Sequence, residues 1–289
     1  MDRNNAYEAW LKKNRYAAST MQEHIATLQR FITWAEGEVM EVDEITYQEL
    51  LAYIQYEQSK GLQQSTLVLR LQSLKLYYDF LKVEGVIDKN PVRKVHLKGG
   101  VQKVVVNPLD EAALEKLYAD YEQLKEPACN GKHALSARRN VAILGLMVFQ
   151  GVHSGEISSF EPKFLQLREG RVSINGTKRS NERVLPLTAR QMIGLHSYLE
   201  LLPPEQEKLF DCNARNAVYT IMDELKGINP VVQNAAHIRS SVILNWLRKH
   251  NKRQVQYMAG HKYITSTEHY EQQELTKLTS QLERYHPLS

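Results

Sequence analysis

Cysteine is almost missing from this chain: Cys129 and Cys212 are the two among 289 residues, far apart and without partners at metal-ligand spacing. That excludes a disulfide framework and a cysteine-based zinc site. No apolar run approaches the roughly 20 residues needed to cross a bilayer, and the N-terminus lacks the core of a signal peptide. A reducing cytoplasm is therefore the expected setting. Internal repeats and low-complexity tracts are absent as well. Nor does one sign of charge dominate: 37 Lys plus Arg against 33 Asp plus Glu leave +4, too little to establish nucleic-acid binding by itself.

What is present has the length for two domains, each able to bury a substantial core. Residues 1–96 read as helices throughout. Ser19 with Gln22 and Thr46 with Glu49 have the form of capping boxes, opening helices with apolar stripes at Met21, Ile25, Leu28 and Ile32, then at Leu50, Leu51 and Ile54. A helix from Ser65 to about Lys82 puts Leu67, Leu71, Leu74, Tyr78 and Leu81 on a buried side. It leaves Thr66, Arg70, Ser73 and Tyr77 facing outward, a set suited to phosphates and groove edges.

Residues 1–100 hold 13 basic and 13 acidic side chains, so the whole excess of positive charge lies downstream. Acids gather between Glu36 and Glu49, and bases near Arg70, Lys75, Lys82 and from Arg93 to Lys98. This segregation permits a basic nucleic-acid face on a neutral domain. Taken alone, ordinary solvated helix faces account for it better. Residues 97–107 lack helical periodicity and contain Lys98, Gly99, Gly100 and Lys103. They read as a linker whose lysines either follow a phosphate backbone or merely sit on a tether. From residue 108 to 289 the pattern is mixed α and β, mostly helix: an apolar helix over Ser136 to Gln150, strands at Val172 to Asn175 and Arg183 to Leu187, and a capped helix after Thr188 and Gln191.

The chemistry-bearing residues lie in this second part. Arg239, the pair Gly260-His261 and Tyr270 follow one another with a helix-sized gap and then a nine-residue step. Arginine forks onto two phosphate oxygens, histidine donates to the same group, and a tyrosine hydroxyl is able to attack phosphorus and leave a covalent phosphotyrosine. Such a reaction needs no metal or other cofactor when cationic donors hold the transferring group and an acid protonates the leaving oxygen. Glycine at 260 permits close backbone approach to the phosphate. Upstream stand Gly151-Val152-His153-Ser154-Gly155-Glu156-Ile157, then Gly176-Thr177-Lys178 followed by Arg183-Val184-Leu185-Pro186-Leu187.

In this order and at these spacings the segments resemble the tyrosine recombinases of the phage-integrase family, with the size and layout of short Xer-type enzymes. The resemblance covers essentially the whole chain. It implies a mainly α protein with a small β-sheet, in which a helical, SAM-like core-binding domain (1–96) and a mixed α/β catalytic domain (108–289) clamp double-stranded DNA. It further implies a ring of four related subunits on DNA, to which the segment Leu275 to Leu282 contributes a docking helix unless it folds back on its own subunit. By the same resemblance Tyr270 is the nucleophile, forming a 3'-phosphotyrosyl bond, and Arg239 clamps the phosphate. Lys178 is the general acid, with Arg179 and Arg183 of the same hairpin competing for the role. His261 donates to the phosphate, and Glu156 supports the histidines and arginines from behind.

Two departures weaken that expectation. The family's first arginine falls on His153, and its histidine three residues before the second arginine falls on Ala236. The neighbouring His237 is one place off register, about 100° around a helix. Losing one transition-state donor typically costs about 2.7–4 kcal/mol, so recombination is expected to be slow unless His237, Arg138, Arg139 or Arg179 fills in. Two alternatives stay open within the fold, a DNA-binding partner that does not cut and a relaxase-like nickase using Tyr270. A purely helical DNA-binding protein of another class would need neither Tyr270 nor Lys178.

Overall fold

The computed structural model describes residues 3–97, 107–129, 133–178, 180–210 and 212–272. The chain divides into two compact units, Met1–Gln102 and Lys103–Ser289. The division falls within the segment 97–107, most of which lies outside the described residues. Lys98, Lys103, Arg179 and the segment 275–282 lie outside them too.

The first unit packs α1 (Arg3–Lys13), α2 (Ala18–Gly37), α3 (Tyr47–Ser59) and α4 (Gln64–Val83) around an aromatic-rich core. Helix α3 opens on the expected capping box: Thr46 N–H donates to Glu49 Oε2 at 2.6 Å and Glu49 N–H to Thr46 Oγ1 at 3.3 Å. The box expected at Ser19 and Gln22 does not form, because α2 already starts at Ala18 with Ala17 as its uncapped boundary. Leu51, read as part of the apolar stripe of α3, is exposed. On α4 the residues Leu67, Leu71, Leu74, Tyr78 and Leu81 are buried as the periodicity predicts.

The expected outward set on α4 is largely overturned. Tyr77 is 3% exposed, edge-on to Tyr7 of α1 with ring centroids 5.2 Å apart, and Ser73 is buried with its hydroxyl 2.8 Å from His24 Nδ1 of α2. Helices on two sides cover α4, so its buried arc is wider than a single stripe. Arg70 turns back to pair with the buried carboxylate of Glu57 on α3. Thr66 stays half-buried. Arg93 is exposed, but its guanidinium donates to both carboxylate oxygens of Asp79 at 3.0 Å.

The second unit contains α5 (Glu111–Cys129), α6 (Ala134–Gln150), the single turn α7 (Ser154–Ile157), α8 (Ala189–Leu199), α9 (Ala214–Ile228), α10 (Ala235–Lys249) and α11 (Lys252–Ala259), with residues 264–272 again helical. An antiparallel sheet runs β1 (Leu165–Gln166), β2 (Arg171–Ile174), β3 (Arg183–Pro186) in that order, with Val172 opposite Leu185 and Ile174 opposite Arg183. Helix α6 is apolar nearly all round and is the buried spine of the unit; Ile143, Leu144 and Leu146 have no exposure at all. Each such side chain contributes about 1.5–3 kcal/mol by leaving water, which makes the end of α6 a firm platform for the loop that follows. No helix among the described residues is long and apolar enough to cross a membrane.

Candidate active site

Helix α6 stops at Gly151, whose φ of +58° is a left-handed conformation that favours glycine. The chain then turns into α7 through a capping box built on His153. Its Nδ1 accepts the Gly155 N–H at 3.0 Å, while its own backbone N–H donates to Glu156 Oε2 at 3.1 Å. A ring nitrogen stands where serine or threonine would normally offer oxygen. The imidazole is thereby turned onto α7, with Nε2 3.6 Å from Glu156 Oε1. His153 is a helix cap in this structure, and that is what the residue does in place of a projecting arginine.

Glu156 is fully buried, and an arginine from another element holds it. Arg183, at the start of β3, has no exposure and donates Nη1 to Glu156 Oε1 at 2.6 Å and Nη2 to Oε2 at 3.0 Å. Burial pushes the Glu156 pKa up, but the Arg183 hydrogen bonds and charge, helped by His153, outweigh it and leave the carboxyl below its ordinary value. Sequence reading named Arg183 only as a rival to Lys178. The signal was in the strand alternation: Leu185 points inward and Val184 outward, so Arg183 must point inward too.

Arg239 on α10 approaches the same carboxylate, with Nη1 3.9 Å from Glu156 Oε2 and its side chain 13% exposed. Its guanidinium donates to the backbone carbonyls of Gly151 and, at 2.7 Å, Ala259. Two carbonyls at the ends of two helices, α6 and α11, thus fix its plane. Three of its five N–H groups remain.

The hairpin between β2 and β3 reaches the Gly260-His261 segment. Thr177 N–H donates to Ser180 O at 2.9 Å and their hydroxyls lie 2.9 Å apart, closing a tight turn with Lys178 exposed on it. Ser180 forms a β-bridge with His261, and Asn181 N–H donates to Gly260 O at 2.8 Å. Gly260 has φ +67°, and a Cβ there would stand 2.5 Å from Arg183 Nη1 and 3.0 Å from Asn181 O. The close approach that requires glycine is therefore to the buried guanidinium and the hairpin.

His261 Nδ1 lies 2.8 Å from the hydroxyl of Thr267, which is itself fully buried. The imidazole lies parallel to the Tyr270 ring, with centroids 5.9 Å and planes 6° apart. Burial first, then the charges of Arg239 and Arg183, pull its pKa down to about 4, so the ring is neutral near pH 7. Tyr270 is half-buried against Ile243, Val255 and Ala259.

Five of the expected residues, His153, Glu156, Arg239, His261 and Tyr270, thus come together, with Arg183 added and Lys178 carried on the docked hairpin. Among the described residues none of the proposed substitutes joins them. His237 is buried, accepting from Gln233 N–H and lying 3.1 Å from Asn107 O through Nε2, while Ala236 is exposed. Arg138 donates to Ser197 O and Arg139 to Asn140 Oδ1. Arg179 lies outside the described residues. No group of side chains suited to a metal ion occurs among the described residues. A cleft of about 620 Å³ between α5, α6 and α8 contains none of the cluster.

Residues 5–85 match the N-terminal SAM-like domain of phage integrases. The tyrosine recombinase XerC of Bacillus subtilis is 23% identical, covering 96% of this chain and 93% of that protein. XerC of Yersinia pestis is 27% identical over 78% and 75%. Among solved structures, the Tn1549 transposon integrase in complex with a circular intermediate DNA superposes with a TM-score of 0.67 at 14% identity, covering 95% of this chain and 98% of that one. A lambda integrase dimer bound to a COC' core site gives 0.67 at 16%, over 92% and 75%. Residues 5–85 thus have the N-terminal domain of phage integrases, the chain is similar to the tyrosine recombinase XerC along nearly its full length, and its fold is that of solved integrases.

Proposed function

We propose that this protein breaks and rejoins double-stranded DNA at specific sites through a 3'-phosphotyrosyl intermediate on Tyr270, working in an assembly of related subunits. One observation carries the reading: Arg239, His261 and Tyr270, drawn from separate elements, converge beside the buried Glu156. The Tyr270 hydroxyl loses its proton to solvent as its oxygen bonds to phosphorus and the bond from phosphorus to the 5'-oxygen breaks, and Lys178 gives the leaving oxygen its proton. Arg239 holds two non-bridging oxygens, and neutral His261 donates one N–H. The phosphotyrosyl bond keeps the energy of the broken linkage, so rejoining needs no nucleotide hydrolysis. XerC, a lambda integrase dimer on its core site and the transposon integrase on its circular intermediate are the relatives that support site-specific recombination as the outcome.

The test is a nicked suicide duplex carrying a site selected from a random pool. A denaturing gel is expected to show a covalent adduct with the native protein and none with Tyr270→Phe, while duplex affinity stays within about twofold, because one hydroxyl is lost from a large phosphate-contacting surface. An adduct in the variant would remove Tyr270 from the mechanism.

A second reading, a DNA-binding partner that completes a synapse without cutting, is supported by His153 serving as a helix cap and by the bare methyl of Ala236. Tight duplex binding with no adduct in the native protein is its expected result.

A further inference from the structure

We propose that Arg183 is the positioning residue that compensates for the missing arginine at 153: by holding both oxygens of Glu156 it keeps Arg239 on its two carbonyls and free to face a phosphate. The inference rests on the phosphate-clamp reading of Arg239, and its own premise is the geometry beneath that clamp.

Arg183 cannot itself meet DNA, since its side chain has no exposure and both terminal nitrogens are spent on Glu156. Its Nε has no hydrogen-bond partner among the described residues, a cost the fold bears to put this cation here. Gly260 lies directly against the guanidinium, so the segment bearing His261 is shaped around it. The charge inside the cluster then follows. Glu156 is negative, Arg183 and Arg239 are positive, and His261 is neutral, so these four leave one net positive charge for an anion, to which His153 adds only when protonated. Without Arg183 the buried carboxylate and Arg239 would cancel.

The distances say how the loss would act. Arg239 Nη1 sits 3.9 Å from Glu156 Oε2, just beyond hydrogen bonding, while one N–H of Nη1 goes to Gly151 O and one of Nη2 to Ala259 O. A carboxylate stripped of Arg183 is a buried charge without its fork, and Arg239 is the nearest permanent cation, since His153 Nε2, 3.6 Å from Oε1, carries charge only when protonated. Closing that gap pulls Nη1 off the Gly151 carbonyl and reorients the clamp. A shift of this size in a reacting group's support is enough to cost about a hundredfold in rate.

The experiment uses the full chain in three variants, Arg183→Gln, Glu156→Gln and the double substitution, with two readouts. The first is the NMR signals of the Arg239 guanidinium and the His261 ring in the free protein. The second is their titration with inorganic phosphate. In Arg183→Gln the Arg239 signals should move and phosphate affinity should fall at least about tenfold. Glu156→Gln in the same chain should bring both back to within about threefold of the native protein, because the carboxylate that captures Arg239 is gone. A residue that merely fills space would give a double variant no better than the worse single one.

Unmoved Arg239 signals in Arg183→Gln, or a double variant that shows no recovery, overturns the proposal. If native protein shows no phosphate response while the Arg239 signals still move and recover, the clamp reading fails and the positioning role stands. Should Arg183→Gln not fold, Arg183→Lys carries the test: an ammonium keeps the charge but cannot hold both oxygens in a fork. Its Arg239 signals should then shift part of the way, and no shift would sink the idea.

Discussion

Among the described residues each unit buries one glutamate against one arginine, and the two pairs have different surroundings. In the first unit Glu57 of α3 is 2% exposed and paired with Arg70 of α4, with Lys60 3.6 Å away. In the second, Glu156 of α7 has no exposure and is paired with Arg183 of β3. The chemistry of the pairs is the same. Their neighbours differ: around Glu57 lie the aromatic core and a surface lysine, whereas around Glu156 lie a second arginine, two histidines and, beyond them, Tyr270. A buried ion pair is weak evidence for stability and none for function, so the neighbours decide. Here one pair joins two helices, and the other sets the charge of the candidate site.

Removing each carboxylate breaks the comparison most severely. Glu156→Ala should lose about 3–5 kcal/mol, because Arg183 is left buried without its partner, and Glu57→Ala less, because Arg70 is 18% exposed and can turn to water. Urea unfolding measures that. Only Glu156→Ala should also lose cleavage beyond its stability loss, by about a hundredfold on the nicked duplex under conditions where it remains folded. Equal cleavage by the two variants would mean that Glu156 is no more than a second Glu57.

The next largest effect adds a cation. His153→Arg supplies a bidentate donor beside Glu156 and Arg239, and single-turnover cleavage should rise, at most by the hundred- to thousandfold that one such donor is worth. The same change removes the Nδ1 cap on Gly155 N–H and should cost about 1 kcal/mol of stability. A stability loss without a faster reaction would show the pocket rebuilt around the cap.

These contrasts also mark how far the sequence could be read. The motif residues Arg239, His261 and Tyr270 were legible because their spacing in the chain follows the turns and caps of α10, α11 and the helix after them. The outward face of α4 was misread because periodicity identifies one buried stripe and says nothing of a second helix lying over Tyr77. Arg70 was misread for a related reason: a lone arginine on a helix looks solvated until its partner on another helix is known. His153 was legible as a departure from the family but not as a cap, since imidazole rarely fills that position. Glu156 was the better clue, for it stands three residues after His153 as Glu49 stands after Thr46.

A smaller effect tests the charge around His261. Its pKa is about 4 in the folded protein, with burial, Arg239 and Arg183 as the causes, and about 6.5 unfolded. Between those values the unfolded chain binds a proton that the folded one does not, so stability falls as pH drops from 6.5 toward 4. Partial exposure screens the effect, and the native protein should lose about 1–2 kcal/mol more than His261→Gln between pH 7 and pH 5. His24 in the first unit is shifted downward too, by burial, and contributes with the same sign. Its removal should flatten the acid slope without touching cleavage. An unchanged slope in His261→Gln would place the imidazole in contact with water rather than with two arginines.

The smallest effect concerns the two capping boxes, Thr46 with Glu49 and His153 with Glu156. Thr46→Ala and His153→Ala should each cost about 1 kcal/mol, the usual loss when an N-cap acceptor is removed. Asparagine at 153 retains an acceptor at the same reach, so His153→Asn should unfold within about 0.5 kcal/mol of the native protein. Denaturant midpoints for the three variants, compared at one pH, are the measurement. If His153→Asn is as unstable as His153→Ala, the imidazole holds α7 through Glu156 rather than through the Gly155 N–H. The 3.6 Å approach of Nε2 to Oε1 then becomes the contact that matters, and position 153 joins the charge cluster after all.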